Sequence, residues 1–146
     1  MRILIQRVKN SKVCVGGKAT ASIQKGFLAL VGVGKEDKPE DIERLAEKVM
    51  NLRIFEDEQG KMNLNIKQVK GQVLSVPQFT LYADTRKGNR PGFDLSAAPD
   101  MAKDYWERFN NLLVEGGVNV QKGVFAAHME VELVNDGPVT IWLDSK

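Results

Sequence analysis

At 146 residues the chain is long enough to bury one core without disulfides or a structural metal, so a single domain spanning 1–146 is expected. Hydrophobic residues at 42% and charged residues at 27% exclude a disordered or fibrous chain and point to a soluble globule. A net charge of +2 gives no bulk attraction to a polyanion, so any contact with nucleic acid has to come from local clusters of Lys and Arg.

The chain opens with β pattern. Ile3, Ile5 and Val8 are separated by polar residues, and segments 12–15 and 18–22 flank Gly16-Gly17, a pair suited to the positive φ values of a tight hairpin. The opening run is too broken for the h-region of a signal peptide, and no apolar stretch approaches the roughly 20 residues of a membrane span, so neither is expected. Residues 27–33 form a nearly unbroken apolar run between Gly26 and Gly34, the mark of a strand covered on both faces.

Asp37, Pro39 and Glu40 predict a helix start, with Asp37 as N-cap, Pro39 in the first turn and Glu40 closing a capping box. Ile42, Leu45, Ala46 and Val49 then recur at helical spacing as the buried stripe, with Glu43 and Glu47 facing water. Residues 52–55 read as a short strand ending in the turn Asp57-Glu58-Gln59-Gly60. Residues 72–81 read as a second β-rich region, with Pro77 marking an edge, bulge or break.

From Pro99, the residues Ala102, Tyr105, Trp106, Phe109, Leu112 and Leu113 repeat at helical spacing until Gly116-Gly117, which predicts a second helix with its aromatic side inward. In the tail, Met129, Val131 and Leu133 alternate with His128, Glu130, Glu132 and Val134, and residues 139–143 form another apolar run. Strands outnumber helices and no repeat or long linker interrupts them. The fold class is therefore α+β, one domain with a mostly antiparallel sheet or barrel and two main helices.

The usual catalytic inventories are thin. Cys14 and His128 are the only residues of their kinds, which rules out an intrachain disulfide and leaves too few soft ligands for a Cys/His zinc site; no metal or cofactor is expected, and a reducing cytoplasm is the natural setting. Cys14 reads as a small buried hydrophobe and His128 as a surface or half-buried strand residue. There is no glycine-rich phosphate loop followed by Lys-Ser or Lys-Thr.

Chemistry by backbone groups is the remaining option. In Ser75-Val76-Pro77-Gln78-Phe79-Thr80-Leu81, a proline-broken strand could release the N–H groups of Gln78, Phe79 and Thr80 from ladder pairing to bind an oxyanion. Asn135-Asp136-Gly137-Pro138-Val139-Thr140 reads by itself as a hairpin turn between two strands. Arg86, Lys87 and Arg90, interleaved with Gly88, Asn89 and Pro91, read either as a solvated basic turn or as a phosphate-contacting loop.

Gln78-Phe79-Thr80-Leu81 resembles the Ser-Gln-Phe-Thr-Leu signature of the D-aminoacyl-tRNA deacylases, and Asn135, Gly137, Pro138 and Thr140 match that family's Asn-x-Gly-Pro-x-Thr signature at every fixed position. The similarity extends along the chain through Gln6-Arg7-Val8, Leu52-Arg53-Ile54-Phe55, Gly60-Lys61-Met62-Asn63-Leu64, Lys87-Gly88-Asn89-Arg90-Pro91 and the segment from Phe125 to Met129. The resemblance implies a deacylase-like fold and a cofactor-independent esterase that releases D-amino acids, and glycine, from tRNA.

It also implies a homodimer with active sites at the subunit interface, in which a cis Gly137-Pro138 peptide of one subunit reaches into the site of the other. That loop would reject L-aminoacyl groups by collision near the α-carbon. By the same resemblance the N–H groups of Phe79 and Thr80, next to Gln78, stabilise the oxyanion as water attacks, aided by the 2′-OH of the terminal adenosine. Arg7 orients the Gly-Pro loop, Met129 and Phe125 border the amino-acid pocket, and Arg86, Lys87 and Arg90 contact tRNA phosphates.

Two positions depart from the family pattern. Pro77 replaces the usual Ser, and Ala126 stands where Gly is common. If catalysis needs the serine hydroxyl, the chain is a tRNA-binding dimer without turnover. A further alternative is a Cys14 or Thr80 hydrolase acting through an acyl-enzyme.

Overall fold

In the computed structural model, which describes residues 1–146, the long first strand organises the sheet. Strand β1 (Arg2–Val15) turns through Gly16 and Gly17, at φ +56° and +77°, into β2 (Lys18–Ile23). The first half of β1 pairs antiparallel with β3 (Gly26–Gly32) and its second half with β2, while its other edge carries β8 (Glu130–Asp144). One strand serving three partners has to curl, which gives the sheet its barrel-like form.

On the far side of β3 lie β6 (Gln72–Pro77) and then β7 (Asn119–Lys122), both parallel to their neighbours. Parallel neighbours need long crossovers, and the two helices supply them: α1 (Pro39–Asn51) between β3 and β6, and α2 (Pro99–Glu115) between β6 and β7. The sheet remains mostly antiparallel around β1. Strands β4 (Phe55–Glu56) and β5 (Met62–Leu64) form a separate ribbon across the turn at residues 57–60.

Strand β3 is covered on both faces, as its unbroken apolar run predicts. Phe27, Ala29 and Val31 join Ile42, Leu45 and Val49 of α1 and Trp106, Phe109 and Leu113 of α2, whereas Leu28 joins Val8, Val13, Ile23, Leu74 and Val76 inside the curl. At about 1.5–3 kcal/mol for each large side chain fully buried, the α1 stripe outweighs the lower helix propensity of its β-branched members, which costs only tenths of a kcal/mol each. No helix is long and apolar enough to cross a membrane.

Four sequence-based expectations are corrected. Lys38, not Asp37, is the N-cap of α1, and the carboxylate that accepts its N–H, at 2.9 Å, is Asp41 rather than Glu40. Asp37 is unavailable because it is buried against the Met1 ammonium and the Gly34 N–H. The short strand near residue 55 begins only at Phe55, and the β-rich region after residue 72 ends at Pro77 and gives way to a 3-10 turn, Phe79–Tyr82.

The fourth correction concerns the tail. Residues 130–144 form one strand, because both apolar halves pair with β1 and not with each other, so Asn135 to Thr140 is not a hairpin turn. Gln6 pairs with Thr140 and Val8 with Asn135, so that two residue steps on β1 face five on β8. The surplus loops outward as a bulge, a place where Pro138 lacks no ladder bond.

Candidate active site

A cleft of about 840 Å³ opens where the end of β6, the start of α2 and the segment before β8 converge. Its walls are mostly apolar: Val76 and Pro77 from β6, Phe93 and Ala97 from the following loop, Ala102 and Trp106 from α2, and Phe125 and Met129 from the segment before β8. Trp106 is anchored from behind, its Nε1–H donating to the fully buried Ser75 Oγ at 2.9 Å. Met129 Sδ accepts the Val124 N–H at 3.4 Å, and Gly123 N–H donates to Ser75 O at 2.8 Å, which ties the segment at 123–129 to β6.

Gln78 and Phe79 line this cleft and Thr80 follows them in the 3-10 turn. The first hydrogen bond of the turn runs from Leu81 N–H to Gln78 O, so the Phe79 and Thr80 N–H groups stand ahead of it without an intrahelical acceptor. Phe79 is 55% exposed, large for an apolar ring, and meets Phe93 edge to face with centroids 4.9 Å apart. The Thr80 hydroxyl accepts a hydrogen bond from the Gln78 side-chain amide, a donor that cannot act as a base.

Pro77 costs the sheet nothing. Gln78 N–H bonds Val31 O on the β3 side, so by strand alternation the Pro77 nitrogen faces β7, whose pairing with β6 has already ended at Ser75 and Lys122. The missing N–H would have had no strand partner.

The bulge at residues 136–139 lies elsewhere in the same chain: Gly137 and Pro138 are exposed and do not line the cleft. Their peptide bond is cis. Asn135 closes the base of the bulge, its Oδ1 accepting the Val139 N–H at 2.8 Å and its Nδ2 donating to Thr140 Oγ1 at 3.2 Å. Arg7, 5% exposed, braces it from beneath: Nε donates to Asp136 O at 2.8 Å and Nη1 to Ile54 O at 2.6 Å. The spacing of the Asn-x-Gly-Pro-x-Thr segment thus has a physical basis, since its polar ends fasten a loop whose middle projects outward.

The basic loop is pinned at its base by paired backbone bonds between Asp84 and Gly92, at 2.8 and 2.9 Å. Arg86 is not a free cation: Asp84 accepts its Nε–H at 2.9 Å and Nη2–H at 2.7 Å, and this partner holds the Asp84 carboxyl down at about 2. Lys87 and Arg90 are exposed. Cys14 is buried in the sheet opposite Glu130, and His128 stands at the mouth of the cleft, with no hydrogen bond between them.

The structure therefore brings Gln78, Phe79, Phe125 and Met129 together and sets Arg7, Gly137 and Pro138 apart as a second unit. Phe93, Ala102, Trp106 and His128 belong to the cleft although the sequence marked none of them for it. Trp106 carries both roles, core and wall, and a helical apolar stripe gives no signal to separate them.

The sequence pattern of the D-Tyr-tRNA(Tyr) deacylase family matches residues 4–144. Proteins named D-aminoacyl-tRNA deacylase from Thermosipho africanus (strain TCF52B) and Thermotoga petrophila are each 57% identical to the chain, the first over 100% of it and 98% of its own length, the second over 99% and 97%. Among solved structures, a c-Myc DNA Unwinding Element Binding Protein superposes with a TM-score of 0.94 at 36% identity, covering 100% of this chain and 99% of that one. A probable eukaryotic D-amino acid tRNA deacylase shares the fold, with a TM-score of 0.80 at 17% identity over 97% of both chains. The agreement runs nearly end to end and takes in the cleft segment and the bulge alike: the chain belongs to the D-Tyr-tRNA(Tyr) deacylase family.

Proposed function

We propose that the chain is a cytoplasmic, homodimeric D-aminoacyl-tRNA deacylase that hydrolyses the ester joining a D-amino acid, or glycine, to the terminal adenosine of tRNA. The observation that carries this reading is the 3-10 turn, where two successive N–H groups without intrahelical acceptors adjoin an apolar cleft. In such surroundings a donor aimed at a developing oxyanion contributes about 3–4 kcal/mol to the transition state. The names of the full-length relatives support the same reaction.

Water adds to the ester carbonyl, helped by the adenosine 2′-OH, and the charge that forms on the carbonyl oxygen is held by the Phe79 and Thr80 N–H groups. Collapse breaks the bond to the ribose oxygen, which takes a proton, leaving a free amino acid and tRNA. No side-chain nucleophile enters. The Gln78 amide already occupies the Thr80 hydroxyl, and Pro77 leaves the neighbouring main chain undisturbed.

Chirality is read by the bulge. Gly137 and Pro138 lie outside the cleft of their own chain, which supports a partner subunit supplying them, with their carbonyl oxygens against the substrate α-carbon. Hydrogen fits in that space and an L-side chain collides, so glycine and D-residues pass. Lys87 and Arg90 contact tRNA phosphates, with Arg86 contributing less because Asp84 holds it.

Incubation of the purified chain with D-tyrosyl-, L-tyrosyl- and glycyl-tRNA tests the proposal. D-tyrosine and glycine are released and L-tyrosine is retained. Equal rates for the two enantiomers overturn the chiral reading, and salt-sensitive tRNA binding without release of any amino acid establishes the non-catalytic dimer instead.

A further inference from the structure

We propose that Arg2, on β1, is a positioning residue for the ester hydrolysis: it holds the 3-10 turn in the orientation that presents the Phe79 and Thr80 N–H groups to the cleft. The inference rests on the deacylase reading for its kinetic consequence. A turn of four residues cannot fix its own direction. Its internal bonds are few, and the first, Leu81 N–H to Gln78 O, is long at 3.3 Å.

Support has to come from outside, and it comes from two sides. Below, the turn rests on bare backbone of and beyond β3. A Cβ on Gly32 would lie 2.9 Å from Gln78 O, and one on Gly34 2.7 Å from the Tyr82 ring. Across the end of the turn, Arg2 Nη1 donates to Leu81 O at 3.0 Å while its guanidinium lies over the Tyr82 ring, 4.4 Å from the centroid. Arg2 is itself fixed by Asp144, whose Oδ2 accepts its Nε–H at 3.1 Å.

The other tie on Tyr82 is weaker. Its hydroxyl donates to Asp37 Oδ2 at 3.3 Å, beyond the usual O–H···O range, whereas the Arg2 bond to Leu81 O is at normal length. A single guanidinium therefore holds the Leu81 carbonyl and the Tyr82 ring at once. A planar fork can donate and stack together, which a flexible ammonium does less well.

Arg2→Met keeps a stem to pack on Tyr82 and removes both donor and charge. With D-tyrosyl-tRNA, kcat of this variant falls about tenfold while KM stays within about twofold, because most of the cleft wall comes from β6, α2 and the segment before β8 and stays in place while the transition-state donors are misaligned. Arg2→Lys, which retains a donor and a cation, recovers most of kcat. Amide hydrogen exchange at Phe79, Thr80 and Leu81 speeds up in Arg2→Met. Melting curves precede the kinetics, and Arg2→Gln takes the place of Arg2→Met, with the same expectation, where the latter does not fold.

Wild-type kcat together with unchanged exchange overturns the proposal, as does a raised KM at unaltered kcat. Should the unmodified chain release no D-amino acid at all, the deacylase reading fails, and the exchange measurement by itself then decides whether Arg2 sets the turn.

Discussion

Ala126 lines the cleft at φ +60°, in the left-handed region where a Cβ crowds the following carbonyl oxygen. The conformation is imposed by its neighbours: Ala127 N–H returns to Val124 O at 3.3 Å, and Val124 N–H is held by Met129 Sδ. Relieving the strain at that one carbon therefore stabilises the fold without moving the wall. Ala126→Gly gains about 1 kcal/mol, which for a domain of this size raises Tm by roughly 2–4 °C in calorimetry. A lower Tm would mean that the methyl packs against the wall strongly enough to offset its strain. Asn135 is constrained in the opposite sense, by polar bonds in place of strain, since both ends of its amide are engaged across the bulge.

Among the elements, the basic loop offers the clearest separation of roles, because its three cations differ in what already holds them. Arg86 is fastened by both oxygens of Asp84, whereas Lys87 and Arg90 make no salt bridge. Each phosphate contact removed lowers the slope of log K against log salt by about 0.7–0.9. Lys87→Ala and Arg90→Ala each reduce the slope for tRNA binding by about that amount, and Arg86→Ala reduces it by less, as titrations over a range of salt concentrations would read. Equal slopes for all three variants would show that Asp84 surrenders Arg86 on binding.

The elements that were legible in the sequence are those with a period or a strong terminator. The stripe at Ile42, Leu45, Ala46 and Val49, the hairpin glycines, and the aromatic face of α2 ended by Gly116-Gly117 are of this kind. β7 was not legible, since four residues with Asn, Gln and Lys among them carry no alternation to read. Asn-Asp-Gly-Pro misled for a physical reason: the residues that suit a hairpin turn suit a bulge equally, and only the pairing of both flanks with β1 decides between them. The capping of α1 went to Lys38 because a buried ammonium claims Asp37, a long-range partner that local pattern cannot reveal.

At the scale of the molecule the cleft and the bulge are two complete but separate devices. Each is braced within its own chain, the cleft by Ser75 and Trp106, the bulge by Arg7 and Asn135, and neither reaches the other. On the proposed function the bulge is a chiral filter, useful only where substrate sits, and under that proposal the two meet between subunits. Mixed dimers put this to a direct test. Ala102→Trp fills the cleft and abolishes release of either enantiomer, while Arg7→Ala frees the bulge and lets L-tyrosyl-tRNA be hydrolysed along with the D-form. When Arg7→Ala protein is re-equilibrated with an excess of Ala102→Trp protein, the open clefts face intact bulges from the partner. Release of L-tyrosine per open cleft then falls severalfold while release of D-tyrosine persists. If each chain instead guarded its own cleft, the leak of L-tyrosine per open cleft would be the same before and after mixing, whatever the excess.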